Sequence, residues 1–161
     1  MHTLYLLLGS NLGDRRKNLL LAQYYINIYC GKIIRASSIY MTEPWGNKNQ
    51  PAYYNQAVIL QSGLSPFQLL NRLHKIEKLL GRTAKNQNAA RRIDIDILFY
   101  DDLVFKTKKL VIPHPRLHLR NFTLQPLSEI DKKHIHPLFN KTIEALEKDC
   151  EDTGKVSILA K

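Results

Sequence analysis

The first hundred residues alternate between short apolar runs and segments in which apolar residues recur at helical spacing. Residues 3–8 form an apolar run, the polar turn at 9–14 ends it, and the next segment carries leucines and isoleucines at the spacing of a helix. A second helix begins at Ser65-Pro66, an N-cap followed by a first-turn proline, and Gly81 ends it. Three further strands are predicted, at residues 33–41, 53–60 and 93–100.

The resulting order, βαββαβ, is typical of the ferredoxin-like arrangement, an antiparallel sheet with helices on one face. The remaining residues predict a hairpin from strands at 103–105 and 110–112, and helices at 124–129 and 141–148. We therefore predict an α+β fold, a ferredoxin-like antiparallel sheet with packed helices, elaborated by a C-terminal hairpin and helices. All 161 residues fit one domain, because two halves of about 80 residues would each struggle to bury a core.

Composition and cysteine use limit the class of protein. The longest apolar runs are far shorter than the roughly 18 residues that span a bilayer, and the N-terminus lacks the basic and apolar regions of a secretory signal. Cys30 and Cys150 show no metal-ligand spacing and are predicted to be buried thiols rather than a disulfide. We therefore expect a cytoplasmic protein that acts as a monomer and makes no membrane contact.

The net charge of +10 is concentrated in the first 120 residues, which carry 18 Lys and Arg against 7 Asp and Glu. A basic surface attracts anions, and nucleic acid, a membrane surface or a small polyphosphate would all satisfy it. An RNA-binding ferredoxin-like module would need a block of sheet aromatics similar to R-G-F-G-F-V, which the sequence lacks. P-loop, Rossmann, zinc-protease and serine-hydrolase motifs are also absent from the sequence.

The strongest chemical signal lies at residues 91–97, where the sequence is RRIDIDI. Because side chains two apart on a strand share a face, burial of the isoleucines places Asp94 and Asp96 about 7 Å apart or less on the other surface. A divalent cation such as Mg²⁺ would relieve their repulsion, whereas pairing with Arg91 or Arg92 would make them an ordinary exposed face. Neighbouring cations favour a metal-bound polyphosphate: Arg82, Lys85, Lys108, Lys109, His114, Arg116, His118 and Arg120.

A second polar cluster combines aromatic rings with an amide. It spans residues 42–46, TEPWG, and residues 50–55, QPAYYN. The Asn55 amide could bind the edge of a flat ring while Tyr53 or a later phenylalanine stacks on its face. Ordinary strand aromatics followed by a turn would produce the same pattern, so this cluster alone does not decide between a binding site and a structural role.

Six ordered motifs define a pattern over about residues 3–130: GSNLG at 9–13, YMTEPWG at 40–46, QPAYYN at 50–55, Glu77 with Gly81-Arg82, RRIDID at 91–96, and PHP at 113–115 with Phe122 and Pro126-Leu127. In this order and spacing they resemble the 6-hydroxymethyl-7,8-dihydropterin pyrophosphokinase family of folate biosynthesis. Each motif alone is weak, whereas the ordered set is specific.

The resemblance implies transfer of pyrophosphate from ATP to the hydroxymethyl group of the dihydropterin, with release of AMP. It implies two Mg²⁺ ions held by Asp94 and Asp96, with Arg82, Arg91 and Asp96 as catalytic residues. The implied ATP-binding residues are His74, Glu77, Lys85, Arg91, Ile97, Lys109, His114 and Arg120. The implied pterin-binding residues are Thr42, Pro44, Trp45, Tyr53, Asn55 and Phe122. Another Mg-dependent nucleotidyl or phosphoryl transferase would share the two aspartates but have no use for Asn55 between stacking aromatics.

The chain departs from the family pattern on the nucleotide side. Residues 88–91 are NAAR, one residue shorter than a common family wording similar to W-G-P-R. Ala84 replaces a basic residue, His74 a glutamine and Lys109 an arginine, and an Arg-to-Lys change at a bidentate phosphate contact is not neutral. We therefore expect a weaker or differently distributed contact with ATP.

Overall fold

The computed structural model describes residues 1–42, 49–81 and 90–159. The described strands are β1 (His2–Ser10), β2 (Lys32–Ala36), β3 (Tyr40–Thr42), β4 (Tyr53–Ser62), β5 (Asp94–Tyr100), β6 (Phe105–Lys106), β7 (Val111–Ile112) and β8 (Val156–Ile158). The described helices are α1 (Arg15–Tyr29), α2 (Pro66–Leu79), α3 (Asn121–Asp131) and α4 (Ile143–Asp149), with a short 3-10 turn at Leu117–Leu119.

One antiparallel sheet organises the molecule. Its strands follow the order β5-β1-β4-β3-β8, and β2 pairs with β4 beside β3. Strands β6 and β7 pair with each other as a separate hairpin. The predicted α+β class, the antiparallel sheet and the hairpin after β5 are therefore confirmed.

Helices α1 and α2 are set by their capping residues. The Asp14 side chain accepts a hydrogen bond from the Lys17 backbone N–H at the start of α1. Ser65 and Gln68 form a reciprocal capping box at the start of α2, where Pro66 occupies the first turn. Gly81 follows α2 with a φ of +91°, a conformation that side chains with a Cβ rarely adopt.

Helices cover both faces of the sheet rather than the one face that we predicted. Leu4, Leu6 and Leu8 of β1 point into a core that contains residues of α1 and α2. Tyr5 and Leu7, which alternate with them, point into a second core that contains residues of α3 and α4. Because β1 is apolar at consecutive positions, both of its faces must be buried, and the C-terminal helices supply the second cover.

The register between β1 and β5 contains one irregularity. Asp96 lies opposite Leu7 and Ile97 lies opposite Leu6, but the next paired residue of β5 is Phe99, so Leu98 is extra. Both Leu98 and Phe99 consequently join the second core. The alternation of β5 before the bulge is undisturbed, which leaves the two aspartates on the face that α3 covers.

The strand predicted at residues 33–41 is two strands, β2 and β3. Between them the Ser37 side chain replaces sheet hydrogen bonds: the Ala57 N–H donates to Ser37 Oγ at 3.0 Å, and the Gln56 side chain donates to the Ser37 carbonyl at 2.7 Å. Other predicted elements change only in their bounds, by one to three residues at most of their ends. The C-terminal strand β8 was not predicted.

Neither described cysteine forms a disulfide. Cys30 is buried as predicted, and burial raises the pKa of its thiol to about 11. Cys150 is only half-buried, contrary to the prediction, because it lies at the end of α4 and packs at the margin of the second core. None of the helices within residues 1–42, 49–81 and 90–159 has the length and apolar character needed to cross a membrane.

Candidate active site

A cleft of about 370 Å³ opens where β1 ends and β4 and β5 begin. Antiparallel pairing brings these three strand ends together, and the start of α3 forms a further wall. The lining residues are Leu7, Gly9, Thr42, Gln50, Tyr53, Asn55, Arg91, Asp94, Asp96, His114, Pro115, Arg116, Arg120 and Phe122. The cleft therefore gathers both polar clusters that the sequence indicated.

Asp94 and Asp96 lie on the cleft face of β5, as their alternation with buried isoleucines predicted. Both residues are half-buried. Arg91 Nη1 lies 3.4 Å from Asp94 Oδ1, so the ion pair considered as the ordinary alternative does form. Such a pair does not prevent metal binding, because a partly exposed ion pair is weak and its partners can exchange.

Basic side chains surround the two carboxylates. Arg120 is half-buried, and burial lowers the pKa of its guanidinium while the nearby charges of Asp96 and Asp94 raise it. Arg116 also lines the cleft and is exposed. Together with Arg91, these side chains make the cleft a site for a strongly anionic group.

His114 contributes a neutral imidazole rather than a charge. Burial lowers its pKa to about 4, and the charges of Arg120 and Arg116 act in the same direction. His114 Nδ1 accepts a hydrogen bond from the Arg116 backbone N–H at 3.1 Å, which leaves the ring proton on Nε2. The His114 backbone N–H donates to the Leu98 carbonyl at 3.0 Å and so fixes the residue beside β5.

The opposite part of the cleft is formed by a buried amide and aromatic rings. Asn55 is 4 % exposed, and its Nδ2 donates to Thr42 Oγ1 at 3.0 Å. A Cβ at Gly9 would lie 2.9 Å from Asn55 Oδ1 and 3.6 Å from the Tyr53 ring, so glycine gives both side chains their room. Phe122 enters from α3, with the Arg120 guanidinium carbon 5.3 Å from its ring centroid.

Asn11 holds the chain segments on two sides of the cleft, a role that sequence reasoning missed. Its Oδ1 accepts from the Arg91 N–H at 2.7 Å, and its own N–H donates to the Arg91 carbonyl at 3.0 Å. Its Nδ2 donates to Gln50 Oε1 at 2.9 Å and points to the Pro51 carbonyl at 3.4 Å. Asn11 is fully buried, and the sequence signal that could have indicated this role is an asparagine in the GSNLG turn directly after a strand.

Gln50 and Arg116 are lining residues that were not predicted as site residues. Arg116 was recognised only as one of several neighbouring cations. Its position in the cleft follows from the turn after His114, which no local pattern specifies.

Four predicted nucleotide-binding residues do not line the cleft within the described part of the chain. His74 is exposed on α2, and Lys109 is exposed beside the β6–β7 hairpin. Glu77 is buried and accepts a hydrogen bond from the Ile95 N–H at 2.9 Å, while Ile97 points into the first core. The remaining predicted residues, Pro44, Trp45, Arg82 and Lys85, lie outside the described residues, as do Ala84 and residues 88 and 89 of the shortened segment at 88–91.

A basic cleft with a carboxylate pair at its centre defines a class of protein, the enzymes that bind and transfer phosphoryl groups. The particular family is shown by comparison of the sequence. Residues 5–132 match the family model described as 7,8-dihydro-6-hydroxymethylpterin-pyrophosphokinase (HPPK), and the chain belongs to this family.

Related proteins come from bacteria and eukaryotes. A 2-amino-4-hydroxy-6-hydroxymethyldihydropteridine pyrophosphokinase of Aquifex aeolicus is 40% identical over 144 residues, which cover 89% of each chain. The folic acid synthesis protein fol1 of Pneumocystis carinii is 41% identical over 139 residues, and the match covers 86% of this chain but 19% of that protein. The match thus spans most of the first relative and about a fifth of the second.

Solved structures support the fold. The structure of a Plasmodium falciparum HPPK-DHPS chain with pterin and p-hydroxybenzoate superimposes with a TM-score of 0.74 at 19% identity. The superposition covers 92% of this chain and 41% of the Plasmodium chain. Most of the described fold, including elements beyond residue 132, therefore belongs to the common architecture.

Proposed function

We propose that this protein transfers a pyrophosphoryl group from ATP to the hydroxymethyl group of 6-hydroxymethyl-7,8-dihydropterin, a step of folate biosynthesis. One observation carries the proposal: a single cleft joins carboxylates and cations on one side to a buried amide and aromatic rings on the other. The first set suits a metal-bound polyphosphate, and the second suits a flat heterocycle with polar edges. The family to which the chain belongs bears the name of this reaction.

The pterin is proposed to lie between Tyr53 and Phe122, with Asn55 and Thr42 at its edge. The bond from Asn55 Nδ2 to Thr42 Oγ1 fixes the orientation of the amide and leaves Oδ1 as an acceptor for a ring N–H. Because Asn55 is buried, a ligand that left this acceptor unpaired would bind less well. Pro44 and Trp45, which lie outside the described residues, are proposed as further pterin contacts.

The triphosphate is proposed to contact Arg91, His114 and Arg120, joined by Arg116 and by Arg82 and Lys85. The guanidinium groups offset phosphate charge, and neutral His114 donates from Nε2. The exposed His74 and Lys109 are proposed to reach the nucleoside and outer phosphate portions of ATP. For the buried Glu77 and Ile97 we propose support of β5 in place of direct contact.

Asp94 and Asp96 are proposed to hold Mg²⁺, two ions in all. The described part of the chain contains no cluster of three or more His, Cys, Asp or Glu side chains suited to a metal. Two carboxylates nevertheless fit Mg²⁺, which commonly takes one or two protein carboxylates and completes its coordination with water and substrate phosphates. When bound, Mg²⁺ would neutralise phosphate charge between the aspartates and the triphosphate.

In the proposed reaction the hydroxymethyl oxygen forms a bond to the β-phosphorus while the bond from that phosphorus to the bridging oxygen of the α-phosphate breaks. AMP leaves with the bonding electrons, and the hydroxyl proton passes to solvent. Asn55 and the aromatic rings orient the nucleophile, while Arg91 and Arg120 stabilise charge that shifts toward the leaving phosphate. Catalysis then depends on alignment and on preorganised charge, without a covalent enzyme intermediate.

The reaction is tested by incubating the protein with ATP, Mg²⁺ and the hydroxymethyldihydropterin and identifying the adenine nucleotide that forms. We expect AMP in amounts equal to the pterin diphosphate, and no AMP when the pterin is omitted. Formation of ADP would instead indicate an ordinary kinase, the nearest alternative among Mg-dependent transferases. Chromatographic separation of AMP from ADP is sufficient for this distinction.

We also propose that strands β1 to β5 with α1 and α2 are a ferredoxin-like unit in which the second strand is interrupted. The strand order β5-β1-β4-β3 supports this, since it is the ferredoxin order when β2 and β3 count as one strand. All 161 residues are proposed to form one domain that acts as a monomer. Two free thiols support a reducing compartment such as the cytoplasm.

A further inference from the structure

The chain after residue 132, beyond the family match, contacts the start of α3 through Asp152. Asp152 Oδ2 accepts a hydrogen bond from the Asn121 backbone N–H at 3.0 Å, and the Asp152 carbonyl accepts from Asn121 Nδ2 at 2.7 Å. Asp152 Oδ1 accepts from the Gly154 N–H at 2.8 Å, which fixes the carboxylate. Each acceptor of Asp152 named here therefore has a donor.

Helix α3 has no capping side chain of its own. Its N-cap residue is Arg120, which makes no side-chain capping hydrogen bond. Helix N-termini need an acceptor for their first N–H groups and favour negative charge. Asp152 supplies both from a position 31 residues further along the chain.

Arg120 and Phe122, the two residues that flank Asn121, line the cleft. Asp152 therefore holds the backbone between the proposed triphosphate contact and the proposed stacking ring. Its negative charge also acts on the Arg120 guanidinium. A change in the position of Asn121 would move both cleft residues together.

The residues that follow Asp152 are fixed on another wall of the cleft. Strand β8 pairs with β3, with Val156 opposite Thr42, and the Leu159 N–H donates to the Ile39 carbonyl at 2.8 Å. Thr42 is the hydrogen-bond partner of Asn55. The C-terminal segment thus connects the start of α3 to the strand that orients the cleft amide.

We propose that Asp152 is a positioning residue of the cleft, which caps α3 across the chain and so sets the places of Arg120 and Phe122. The expected effect on turnover rests on the proposed function. The capping of α3 does not, because it rests on the hydrogen bonds between Asp152 and Asn121. Asp152 touches no substrate in this proposal, and it acts through the Asn121 backbone.

The test compares Asp152→Ala with Asp152→Asn and with Asn27→Ala. Asparagine is also a good capping residue, so it keeps an acceptor for the Asn121 N–H, but it loses the negative charge and the second oxygen that accepts from the Gly154 N–H. Asn27 is the matched control, because its Oδ1 accepts from the Ile33 N–H at 2.9 Å at the exposed end of α1, and Asn27 is not one of the residues that line the cleft. Loss of that bond removes a side-chain-to-backbone contact of the same kind.

In steady-state kinetics Asp152→Ala should raise the KM for the pterin severalfold, because Arg120 and Phe122 shift when the Asn121 N–H loses its acceptor. Asp152→Asn should raise the KM less than Asp152→Ala, because it keeps one of the two side-chain acceptors. A purely stabilising role would lower the active fraction and hence the apparent kcat, but leave KM unchanged. An unchanged KM in Asp152→Ala, or an equal rise in Asn27→Ala, would overturn the proposal.

Hydrogen exchange of the Asn121 amide in the protein without ligands separates this inference from the proposed function. Exchange should be about 5-fold to 30-fold faster in Asp152→Ala, accelerated less in Asp152→Asn, and unchanged in Asn27→Ala. Unchanged exchange in Asp152→Ala overturns the inference even if the enzyme makes AMP. Absence of AMP formation by the wild type overturns the proposed function, and the exchange rates still decide the role of Asp152.

Discussion

Asp94 and Asp96 are the individual residues whose substitution should reduce turnover most. Both lie on the cleft face of β5 and neither belongs to a hydrophobic core, so their removal leaves the packing intact. We expect Asp94→Asn and Asp96→Asn each to lower kcat by about 100-fold or more, the typical cost of losing one charge-stabilising group from an active site. AMP release measures the change, and thermal unfolding reports whether the fold is retained.

Asp102→Asn is the control for these two variants. Asp102 is exposed in the turn after β5 and lies outside the cleft lining, so the same substitution should leave turnover within about twofold, as is usual for surface changes. Near-normal kcat in either cleft variant would mean that the carboxylates serve only as partners for cations, as Asp94 does for Arg91.

Asn55 should discriminate between the two substrates. Its amide is buried and oriented by Thr42, so Asn55→Ala removes pterin contacts while the proposed triphosphate contacts stay in place. We expect pterin binding to weaken by about 1–3 kcal/mol and ATP binding to change little. Calorimetric titration of each ligand measures both effects.

Gln56→Ala is the matched control for Asn55. Gln56 is the next buried amide on β4 but bonds Gln23 of α1 and the Ser37 carbonyl, on the other side of the sheet. Its removal should lower stability without selective loss of pterin affinity. Equal weakening of both ligands in Asn55→Ala would contradict the division of the cleft into two parts.

Residue types on a single strand were predictable, whereas contacts across the fold were not. The alternation at residues 94–97 is enough to place two carboxylates on one face, because strand geometry has a period of two. Gln50 is held at the cleft by the Asn11 side chain, and Arg116 follows the turn at His114. Those contacts depend on tertiary structure, which no local pattern in the sequence contains.

The connection between elements that Asn11 makes leads to a further prediction. Asn11→Ala removes acceptors and donors for Gln50, Pro51 and Arg91 in a buried place. We expect the free energy of unfolding to fall by about 2–3 kcal/mol, since partners of a buried amide lose their hydrogen bonds. The KM for both substrates should rise, because residues on both parts of the cleft lose a common anchor.

Asn18→Ala separates lost stability from lost positioning. Asn18 is also buried, and its side chain donates to Ser10 Oγ and to the Leu12 carbonyl within the same turn. We expect Asn18→Ala to lose about as much stability as Asn11→Ala but to change the KM values less. Equal KM changes in the two variants would show that the turn as a whole, rather than Asn11, positions the cleft.

At the scale of elements, the sequence was informative where a local signal exists. Helices α1 and α2 were found from spacing and caps, and β4 and β5 from apolar runs with turn residues at their ends. The break between β2 and β3 was not, because Ser37 exchanges hydrogen bonds with residues 20 positions away. Strand β8 has three residues, and it exists because β3 offers an open edge.

At the scale of the whole molecule, the second core explains why the cleft has its shape. The prediction of helices on one face of the sheet was wrong. It treated Tyr5 and Leu7 as part of one apolar run, although they point to the opposite face from Leu4, Leu6 and Leu8. Their burial requires α3 on that face, and α3 in turn carries Phe122 into the cleft. The fold therefore places a stacking ring beside β5 as a consequence of covering the sheet.

The same core contains histidines that link stability to pH. His136 is 2 % exposed, and its Nδ1 accepts from the Leu138 and Phe139 N–H groups at 3.2 Å. Burial lowers its pKa to about 4, and the neighbouring rings of His118 and His134 act in the same direction. His136 is therefore neutral in the native protein at pH 7, where both backbone donors are satisfied.

This lowered pKa predicts acid destabilisation. An unfolded histidine has a pKa near 6.5, so between about pH 6.5 and pH 4 the unfolded chain binds a proton that native His136 does not. The stabilisation is complete above that range and is lost as the pH falls, by roughly 3 kcal/mol for this residue, since each pKa unit corresponds to about 1.4 kcal/mol. His136→Asn keeps an acceptor for the backbone N–H groups but cannot titrate, so its free energy of unfolding should fall less steeply as the pH is lowered.

Urea unfolding at several pH values measures this dependence of the unfolding free energy on pH. His74 is exposed, so His74→Asn is a control that should keep the wild-type slope. A wild-type slope in His136→Asn would assign the acid loss to other groups, of which His114 is the first candidate because its pKa is also about 4.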